Sequence, residues 1–569
     1  MSRIICLSLF ICGLTFGDFL ALKITLDKLA SVDDAISQIK DSACVAISGF
    51  NMAATPEHLI LNMFEKYQTT GHPRDLFLEC ESLPAISGRA LDLVSEKIFS
   101  EKDQEFLRGL LIPYLGFSPW TQKVVEANLF ETFSWPIGVV TYWFREIASG
   151  RLGLITTIGI DTLLDPRREG GAMNAKALEK KTCKVDLIHI EEEEFLFYHA
   201  PKPDYALIRA SVADERGNLS MEDEGVRGTV LNISQATKAR PHPGVVIAQV
   251  RWITKAGAMN PRDVDVPSPL VDQVVISPKE HHWQGGTFEY DPRISYRVMQ
   301  PATEQLISEM LPSKDQPAEK IIARRVLLEL AKVLEEKKSP VLVNLGVGIP
   351  ALVSAVAAEE ALTDCILTVL ESGPWGGIAL SGVDFGLAFS PFALSTMPDM
   401  FSNFEGGVID AASLGFLQVD SSGNVNPSML PGRLYGPGGF PVIAGGAPKT
   451  FFSGAFTGGQ SKMEVSSEGL RIITDGAVSK FVPSVYRIFF SGKEAIKHGK
   501  EILYISERAV FRLTAEGVVL EEIAPGIDLD KHVLQKMEFQ PKISPKLRLM
   551  EKSLFQKEKM GLRTTIFSD

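Results

Sequence analysis

One carboxylate, Glu371, stands where a short apolar stretch meets a run of turn-forming residues. Residues 365–370 read CILTVL, which is typical of a buried β-strand, and residues 371–377 read ESGPWGG, which prevents a regular continuation. Ligands of open α/β sheets bind at strand ends. We therefore predict that Glu371 lies on a turn at a strand end, where it could act as a nucleophile. The alternative is an ordinary strand-terminal glutamate in solvent.

Glycine-rich turns crowd the same half of the chain. They occur at Gly346/Gly348, Gly376/Gly377, Gly406/Gly407, Gly436/Gly438/Gly439, Gly445/Gly446 and Gly458/Gly459. Glycine lets backbone N–H groups approach a ligand closely, and such groups at a helix N-terminus suit a phosphate or an oxyanion. Each turn taken alone is more often a plain turn, so their density around one carboxylate is the signal.

Several familiar catalytic motifs are absent from the sequence. It contains no Walker A sequence and no complete GxGxxG, GxSxG or HExxH motif. The nine histidines show no ligand spacing, and the pair His281-His282 beside Trp283 is interpreted as a loop feature. For an enzyme, these exclusions leave a carboxylate nucleophile. We predict neither a metal ion nor an organic cofactor.

Length and composition indicate a soluble globular protein of two or more domains. The 569 residues are too many for one core, and 45% of them are hydrophobic and 22% charged. The sequence contains 58 basic and 70 acidic side chains, which gives a formal net charge of −12. We therefore expect no binding to nucleic acid or to an anionic membrane. The six cysteines form no CxxC pair, which fits reducing conditions better than oxidising ones.

The first 22 residues differ from the rest. Residues 4–16 are almost uniformly apolar behind a single Arg3, which is the outline of a signal peptide, although the run is short for a membrane span. The cysteines favour a cytoplasmic protein, whereas the apolar segment leaves an organelle matrix or export open. Whether this segment is cleaved is also open.

An internal repeat divides the remainder of the chain. Residues 204–220 align without a gap on residues 410–426, and both copies place one aspartate ten residues before another, followed by Gly-Asn. Each copy is preceded by a strand, glycine-bearing turn and Pro-started helix, the unit of a doubly wound sheet. We predict two related α/β halves, with Glu371 lining the cleft between them.

The repeat sets the predicted domain boundaries. We expect an apolar segment at residues 1–22, a first domain at 23–293, a linker at 294–320, a second domain carrying Glu371 at 321–545, and a tail at 546–569.

Six motifs together carry a resemblance to a known family. They are NLGVGIP (344–350), ESGPWGG (371–377), GGVID (406–410), LGFLQVDSSGNVN (414–426), GPGGF (436–440) and FSGAFTGG (452–459). The chain resembles the family I CoA-transferases, and the fused acetate and propionate CoA-transferases most of all, from about residue 23 to 561. The resemblance implies a fold of two related open α/β domains with the active site in their cleft.

The resemblance also implies an activity. CoA would pass from a short-chain acyl-CoA to acetate or another short-chain carboxylate by a ping-pong mechanism, with an acyl-glutamyl anhydride and a glutamyl-CoA thioester forming on Glu371. Coenzyme A is then a substrate rather than a cofactor, and relatives commonly assemble as homo-oligomers.

Further residues match the family by position. Gly438 and Gly439 match the backbone oxyanion site, and Gly346, Gly348 and Asn424 are assigned to CoA binding. Ile137 stands where relatives carry a Gln whose amide points at the active-site oxygen; if nothing replaces that amide, the loss in rate is about 10² to 10³.

Two alternatives to CoA transfer stay open at this point. Ile137 and the altered early turn, residues 48–55, allow a degenerate member that binds CoA without turnover. The same scaffold could also serve an acyl-CoA hydrolase, in which water intercepts the anhydride or the thioester.

Overall fold

The computed structural model describes residues 28–299 and 317–567. The predicted apolar segment, residues 1–22, lies outside the described residues, as does most of the predicted linker, residues 300–316. A bilayer-crossing helix would have to be long and nearly free of charge, and none within the two described ranges is.

The first half is built around a parallel sheet of buried strands. Its principal elements, in chain order, are α1 (Val32–Ile36), β1 (Cys44–Ile47), α2 (Glu57–Thr70), β2 (Leu76–Cys80), α3 (Leu91–Glu101), β3 (Leu107–Leu111), α4 (Pro119–Glu126), β4 (Glu131–Phe133), α5 (Ile137–Ala148), β5 (Leu154–Thr156), α6 (Ala175–Lys180), β6 (Lys184–Ile190), β7 (Glu193–His199), β8 (Tyr205–Arg209), α7 (Val230–Lys238), β9 (Val245–Val250) and β10 (Gln273–Ile276). Seven strands pair in parallel in the order β10-β9-β8-β1-β2-β3-β4. Strands buried on both faces, such as β1 with its sequence CVAI, are what a parallel sheet covered by helices requires.

The second half repeats this plan with an antiparallel extension. Its principal elements are α8 (Pro317–Lys337), β11 (Val341–Leu345), α9 (Leu352–Glu359), β12 (Ile366–Thr368), α10 (Met397–Glu405), β13 (Ala411–Leu414), α11 (Phe440–Gly446), β14 (Lys449–Ser453), β15 (Lys462–Ser466), β16 (Gly469–Thr474), α12 (Gly492–Lys497), β17 (Glu501–Ile505), β18 (Ala509–Thr514), β19 (Gly517–Ile523), α13 (Leu529–His532), β20 (Lys542–Leu549) and α14 (Leu562–Phe567). The sheet order is β12-β11-β13-β14-β17-β18-β19-β20. Within this eight-stranded sheet, only the β17-β18 and β18-β19 pairs are antiparallel.

Equivalent hydrogen bonds relate the two halves. In the first half Asp204 accepts the Cys44 N–H at 2.9 Å and donates its own N–H to the Cys44 carbonyl. In the second half Asp410 makes both bonds with Leu342. The predicted repeat is therefore a repeat of structure, in which an aspartate fixes the start of the neighbouring strand.

The halves pack closely through their helices. A Cβ at Gly138, in α5, would stand 2.8 Å from Phe401 in α10 and 2.9 Å from Val442 in α11, so glycine lets the helices meet there. Beside this contact Arg145 donates to Asp399 at 2.7 Å. These contacts fix the two halves relative to each other on either side of the cleft.

The predicted tail is part of the second half. Strand β20 crosses the expected boundary at 545/546, so that boundary is wrong as the edge of a domain. Beyond it, the buried Arg324 in α8 donates to the carbonyls of Gln556 and Glu558. A buried guanidinium needs such acceptors, and the C-terminal residues supply them.

The ends of the predicted linker also pack on the domains. Ile294 is fully buried, and the Tyr296 hydroxyl donates to the Gly225 carbonyl in the first half. At the other end, residues 317–320 already belong to α8.

Candidate active site

A cavity of about 290 Å³ lies between the two halves. The first half contributes Phe50, Asn51, Ser82, Tyr114, Phe117 and Ile137 to its walls, and the second contributes Asn344, Gly346, Val347, Glu371, Phe385, Leu414, Gly415, Phe416, Leu417, Pro427, Ser428, Gly436, Pro437, Gly438, Gly439, Phe440 and Ile443. Most of these groups are apolar or aromatic, and one acidic side chain lies among them.

Glu371 lies on a turn just beyond β12, as its sequence context predicts. The turn is closed by a bond from the Leu370 N–H to the Pro374 carbonyl at 2.9 Å. The hydroxyl of Ser372 donates to the Gly386 carbonyl, which fixes the residue next to the glutamate. Proline and glycine thus end the strand and leave the carboxylate at the cavity wall.

The surroundings of Glu371 are unusually apolar for a carboxylate. The residue is 8% exposed, and burial raises its pKa to about 7. Desolvation is the cause, because burial penalises the charged form. A carboxylate of higher basicity is a better nucleophile once ionised, and at neutral pH a large fraction of this group is ionised.

Gly439 contacts the Glu371 carboxyl group directly. A Cβ at this position would overlap Glu371 Oε2, so only glycine fits beside the carboxylate. Gly439 is also the N-cap of α11, where the helix leaves N–H groups without partners inside it. Among the described residues, none accepts a hydrogen bond from the Gly439 N–H.

The neighbouring Gly438 has a different role from the one expected. Its N–H donates to the Pro113 carbonyl at 2.9 Å, and its carbonyl accepts from the Ile137 N–H at 2.9 Å. With φ at +55°, it lets the loop make both contacts. Gly438 therefore joins the loop to the first half, and its N–H is already engaged, which corrects its assignment as an oxyanion donor.

Ile137 is the first residue of α5 and is 2% exposed. Its backbone meets Gly438, and its side chain lines the cavity as an apolar group. Residue 137, the position at which relatives carry a Gln, therefore lies at the cavity wall. Its isoleucine side chain cannot donate a hydrogen bond there.

The three residues assigned to CoA binding are separated in the structure. Gly346 lines the cavity, and its N–H donates to the Ser413 carbonyl at 2.9 Å. Gly348, with φ at +83°, is not among the lining residues. Asn424 is also outside them, because its amide donates to Asp420 and accepts from the Gly492 N–H, both at 3.0 Å. Asn424 is used to hold a turn.

A strained loop of the first half forms part of the cavity wall. In residues 48–55, Asn51 and Ala54 have φ near +55°, a conformation that requires support from the surroundings. The fully buried Arg209 provides it by donating to the Met52 and Thr55 carbonyls while it is paired with Glu224 at 2.9 Å.

Comparison with known proteins identifies the family. Residues 29–277 match the model of the family described as Coenzyme A transferase. Over 547 residues the chain is 35% identical to the caffeate CoA-transferase of Acetobacterium woodii, covering 94% of this chain and 99% of that one. The chain belongs to the coenzyme A transferase family. It is also 35% identical over 535 residues to the acetate CoA-transferase YdiF of Escherichia coli K12, covering 93% of this chain and 96% of that one.

Solved structures support the same assignment for this CoA-transferase. The acyl-CoA transferase YdiF of Escherichia coli O157:H7, in a thioester complex with CoA, matches with a TM-score of 0.82 and 32% identity, covering 94% of this chain and 97% of that one. Its apoenzyme matches with a TM-score of 0.81. The predicted fold class and the predicted class of enzyme are confirmed.

Some residues of the CoA-transferase cavity carry no signal in the sequence. Tyr114 and Phe117 follow β3, and Phe385 follows a turn after Glu371, so that the fold alone brings them together. A metal site is not evident either: the described part of the chain holds no cluster of His, Cys, Asp and Glu side chains suited to a metal ion.

Proposed function

We propose that this enzyme transfers CoA from an acyl-CoA to a carboxylic acid through covalent intermediates on Glu371. The observation that carries the proposal is a buried carboxylate in an interdomain cavity beside a backbone N–H that has no acceptor among the described residues. The thioester complex of the similar YdiF with CoA supports the same chemistry here.

In the first step, a Glu371 carboxylate oxygen attacks the thioester carbonyl of the acyl-CoA. The C–S bond breaks, CoA leaves as the thiolate, and an acyl-glutamyl anhydride remains. The thiolate then attacks the glutamyl carbonyl, so that a glutamyl-CoA thioester forms and the first acid departs as its carboxylate. No proton needs to be transferred, because each step consumes one anionic nucleophile and releases one anionic leaving group.

In the second half of the cycle, an acceptor carboxylate attacks the glutamyl-CoA thioester. CoA thiolate leaves, and a new mixed anhydride forms between the acceptor and Glu371. Attack of the thiolate on the acceptor's carbonyl releases the new acyl-CoA and restores the Glu371 carboxylate. Since a carboxylate is a poor nucleophile, binding of CoA has to hold the reacting atoms together.

Two backbone N–H groups of the second half are suited to the oxyanions of these steps. The Gly439 N–H adjoins Glu371, and Val347 lines the same cavity with an N–H that no described residue accepts. One such donor is typically worth about 3 kcal/mol of transition-state stabilisation. The Val347 N–H would supply what the side chain of Ile137 cannot.

The apolar lining favours a carboxylate with an apolar body. Phe50, Phe117 and Phe385 line the cavity, so we assign the acyl chain to these side chains and propose acetate or another short-chain carboxylate as acceptor. Acetate and caffeate stand in the names of the similar enzymes. Coenzyme A is a substrate in this scheme. The same proposal assigns Gly346 and Gly348 to CoA binding. It also includes assembly of the enzyme as a homo-oligomer.

Mass spectrometry after incubation with acetyl-CoA and propionyl-CoA tests the mechanism. We expect CoA attached to the peptide that carries Glu371, and no adduct in Glu371→Gln. If free CoA accumulates in the absence of an acceptor carboxylate, the result favours an acyl-CoA hydrolase over a CoA-transferase. If calorimetry detects CoA binding but no adduct forms with any short-chain acyl-CoA, the proposed mechanism is wrong and a binding protein remains.

A further inference from the structure

The first half contains its own copy of the turn that carries Glu371. In the adjoining strands, Cys44 pairs with Phe77 in the first half, and its equivalent Leu342 pairs with Leu367 in the second. The two strand pairs therefore have the same register relative to the repeat.

Glu81 is the internal counterpart of Glu371. Each glutamate lies four residues beyond these paired positions, and each opens the same pattern, ESLP at residues 81–84 and ESGP at residues 371–374. The cavity contains Ser82 as well as Glu371, so both copies of the turn reach the same site from opposite halves.

The two glutamates differ in what their carboxylates bind. Glu81 is fully buried, and its two oxygens accept the N–H groups of Gly49 at 2.6 Å and Thr229 at 2.7 Å. Thr229 is the N-cap of α7 and follows Gly228, whose φ of +55° equals that of Gly438 before α11. The environment of Glu81 thus repeats the loop and helix N-terminus beside Glu371.

The counterparts of these two donors are the open N–H groups of the second half. Ser48 donates to Leu207 as Gly346 donates to Ser413, so the next residues, Gly49 and Val347, are equivalent. Thr229 and Gly439 are likewise the N-caps of equivalent helices. In the first half a carboxylate of the protein occupies a place that the second half leaves open to a substrate.

The segments that Glu81 holds line the part of the cavity to which the proposed function assigns the acyl chain. Gly49 directly precedes Phe50 and Asn51, which line the cavity together with Ser82. A single carboxylate therefore fixes the strained loop relative to the strand end and to α7, and its removal would leave two buried N–H groups without an acceptor.

Contacts continue from this wall to the nucleophile. The Phe50 ring lies 6.2 Å from that of Phe385, and the Asn51 amide donates to the Phe385 carbonyl at 3.1 Å. The next carbonyl, that of Gly386, accepts from Ser372 beside Glu371. A shift of the loop would therefore change the shape of the cavity and the position of the turn.

We propose that Glu81 is a positioning residue that sets the acyl-chain selectivity of this enzyme. The inference rests on the proposed function of Glu371, since the selectivity it describes is that of adduct formation there. Glu81 itself forms no covalent intermediate, because both of its oxygens accept backbone N–H groups and the residue does not line the cavity.

The test compares adduct formation across acyl-CoA chain lengths. The variants are Glu81→Gln, which keeps the size but replaces one acceptor, and Glu81→Asp, which keeps the charge but shortens the reach. Glu360→Gln is the matched control, since Glu360 is also a buried glutamate whose oxygens accept two N–H groups, those of Met560 and Leu562, and none of these residues lines the cavity. For each protein we would measure the rate of CoA attachment from acetyl-, butyryl- and hexanoyl-CoA, with thermal unfolding alongside.

We expect the ratio of the acetyl to the hexanoyl rate to change by about tenfold or more in the Glu81 variants, as a misplaced wall would cause. The same ratio should stay at the wild-type value in Glu360→Gln, even where its unfolding temperature falls equally. An unchanged ratio in folded Glu81 variants would overturn the inference, as would failure of both variants to fold, which would make Glu81 purely structural. Absence of the adduct in the wild-type enzyme would instead contradict the proposed function.

Discussion

At the level of single residues, Glu371 and Glu79 are both buried glutamates whose pKa is raised by desolvation. Glu371 has the cavity beside it, so its raised pKa can serve chemistry. Glu79, in the middle of β2, is fully buried, and neither of its oxygens has a hydrogen-bond partner among the described residues. Desolvation, aided by the nearby Asp204, raises the Glu79 pKa well above its ordinary value. The same physical effect thus yields a nucleophile in one place and a cost to stability in another.

The reactivity of Glu371 should depend on pH. Because the nucleophile is the carboxylate and its pKa is raised to about 7, kcat/KM for the acyl-CoA should fall below pH 7, by about tenfold per pH unit, and reach a plateau above it. The measurement is the initial rate at low acyl-CoA concentration between pH 5 and 9. A flat profile across that range would show that Glu371 is ionised throughout.

The free energy of unfolding should depend on pH through the ionisation of Glu79. A group whose folded pKa is raised stabilises the fold fully below its unfolded pKa, near 4.3, and this contribution is lost as pH rises toward the folded pKa. In Glu79→Gln the loss is absent. The variant should therefore gain stability relative to the wild type with rising pH, by about 1.4 kcal/mol per pH unit over that window.

Denaturant unfolding at pH 4, 6 and 8 measures this difference. Glu371→Gln provides the comparison at a site where the charged form also costs stability. A Glu79→Gln variant whose stability difference does not change with pH would mean that Glu79 is ionised in the folded protein.

At the level of elements, the start of α11 decides what the cavity can hold. Helix α11 begins with Gly439 against the Glu371 carboxyl group, and the preceding loop is held by Gly438 bonds to Pro113 and Ile137. The loop is thus fixed by the first half, and it places Gly439, whose N–H has no acceptor among the described residues, beside the carboxylate of the second half. Positioning of this kind requires both halves.

Gly439→Ala should abolish most of the activity while the protein stays folded. The added methyl group would overlap Glu371 Oε2 and displace the carboxylate from the Gly439 N–H, and a misplaced donor of this kind costs about 10² to 10³ in kcat. Gly445→Ala is the control on the same helix, because a Cβ there would meet no atom within 4 Å. Equal activity of the two variants would exclude Gly439 from the site.

At the level of the whole molecule, part of the structure could be predicted from the sequence and part could not. The strand–turn context of Glu371, the long helix α8 and the two-half repeat follow from local patterns, namely apolar runs, glycine and proline, and a spaced pair of aspartates. Contacts across the interface have no local pattern. The Gly438 N–H donates to the Pro113 carbonyl, and Tyr114 lines the same cavity as Glu371. Both contacts depend on how the two halves pack against each other.

The C-terminal boundary of the second half could not be predicted from the sequence. The tail expected at residues 546–569 contains half of β20 and the acceptors of Arg324, although its sequence is polar and contains no repeat. The edge strand and the short helix α14 are stabilised by tertiary contacts rather than by their own pattern. Asn424 is the opposite case. Its place in a family motif suggested CoA binding, whereas in the structure its amide stabilises a turn.

Removal of residues 546–569 should therefore destabilise the second half strongly. The truncation leaves the buried Arg324 guanidinium without its carbonyl acceptors, a kind of loss that typically costs about 3–5 kcal/mol. Thermal unfolding and the yield of folded protein measure the effect. A truncated protein with wild-type unfolding temperature would restore the view that these residues are an appendage.

The bond from Arg324 to the Gln556 carbonyl spans 232 residues of sequence. During synthesis, the first helix of the second half emerges long before the segment that completes its surroundings. At ribosomal rates of 5–20 residues per second, that wait is about 10–50 s. The first half can close its parallel sheet while the chain grows, whereas the second half can complete the surroundings of α8 only after residues 556–558 are made. The half that carries the nucleophile is therefore the later of the two to finish folding.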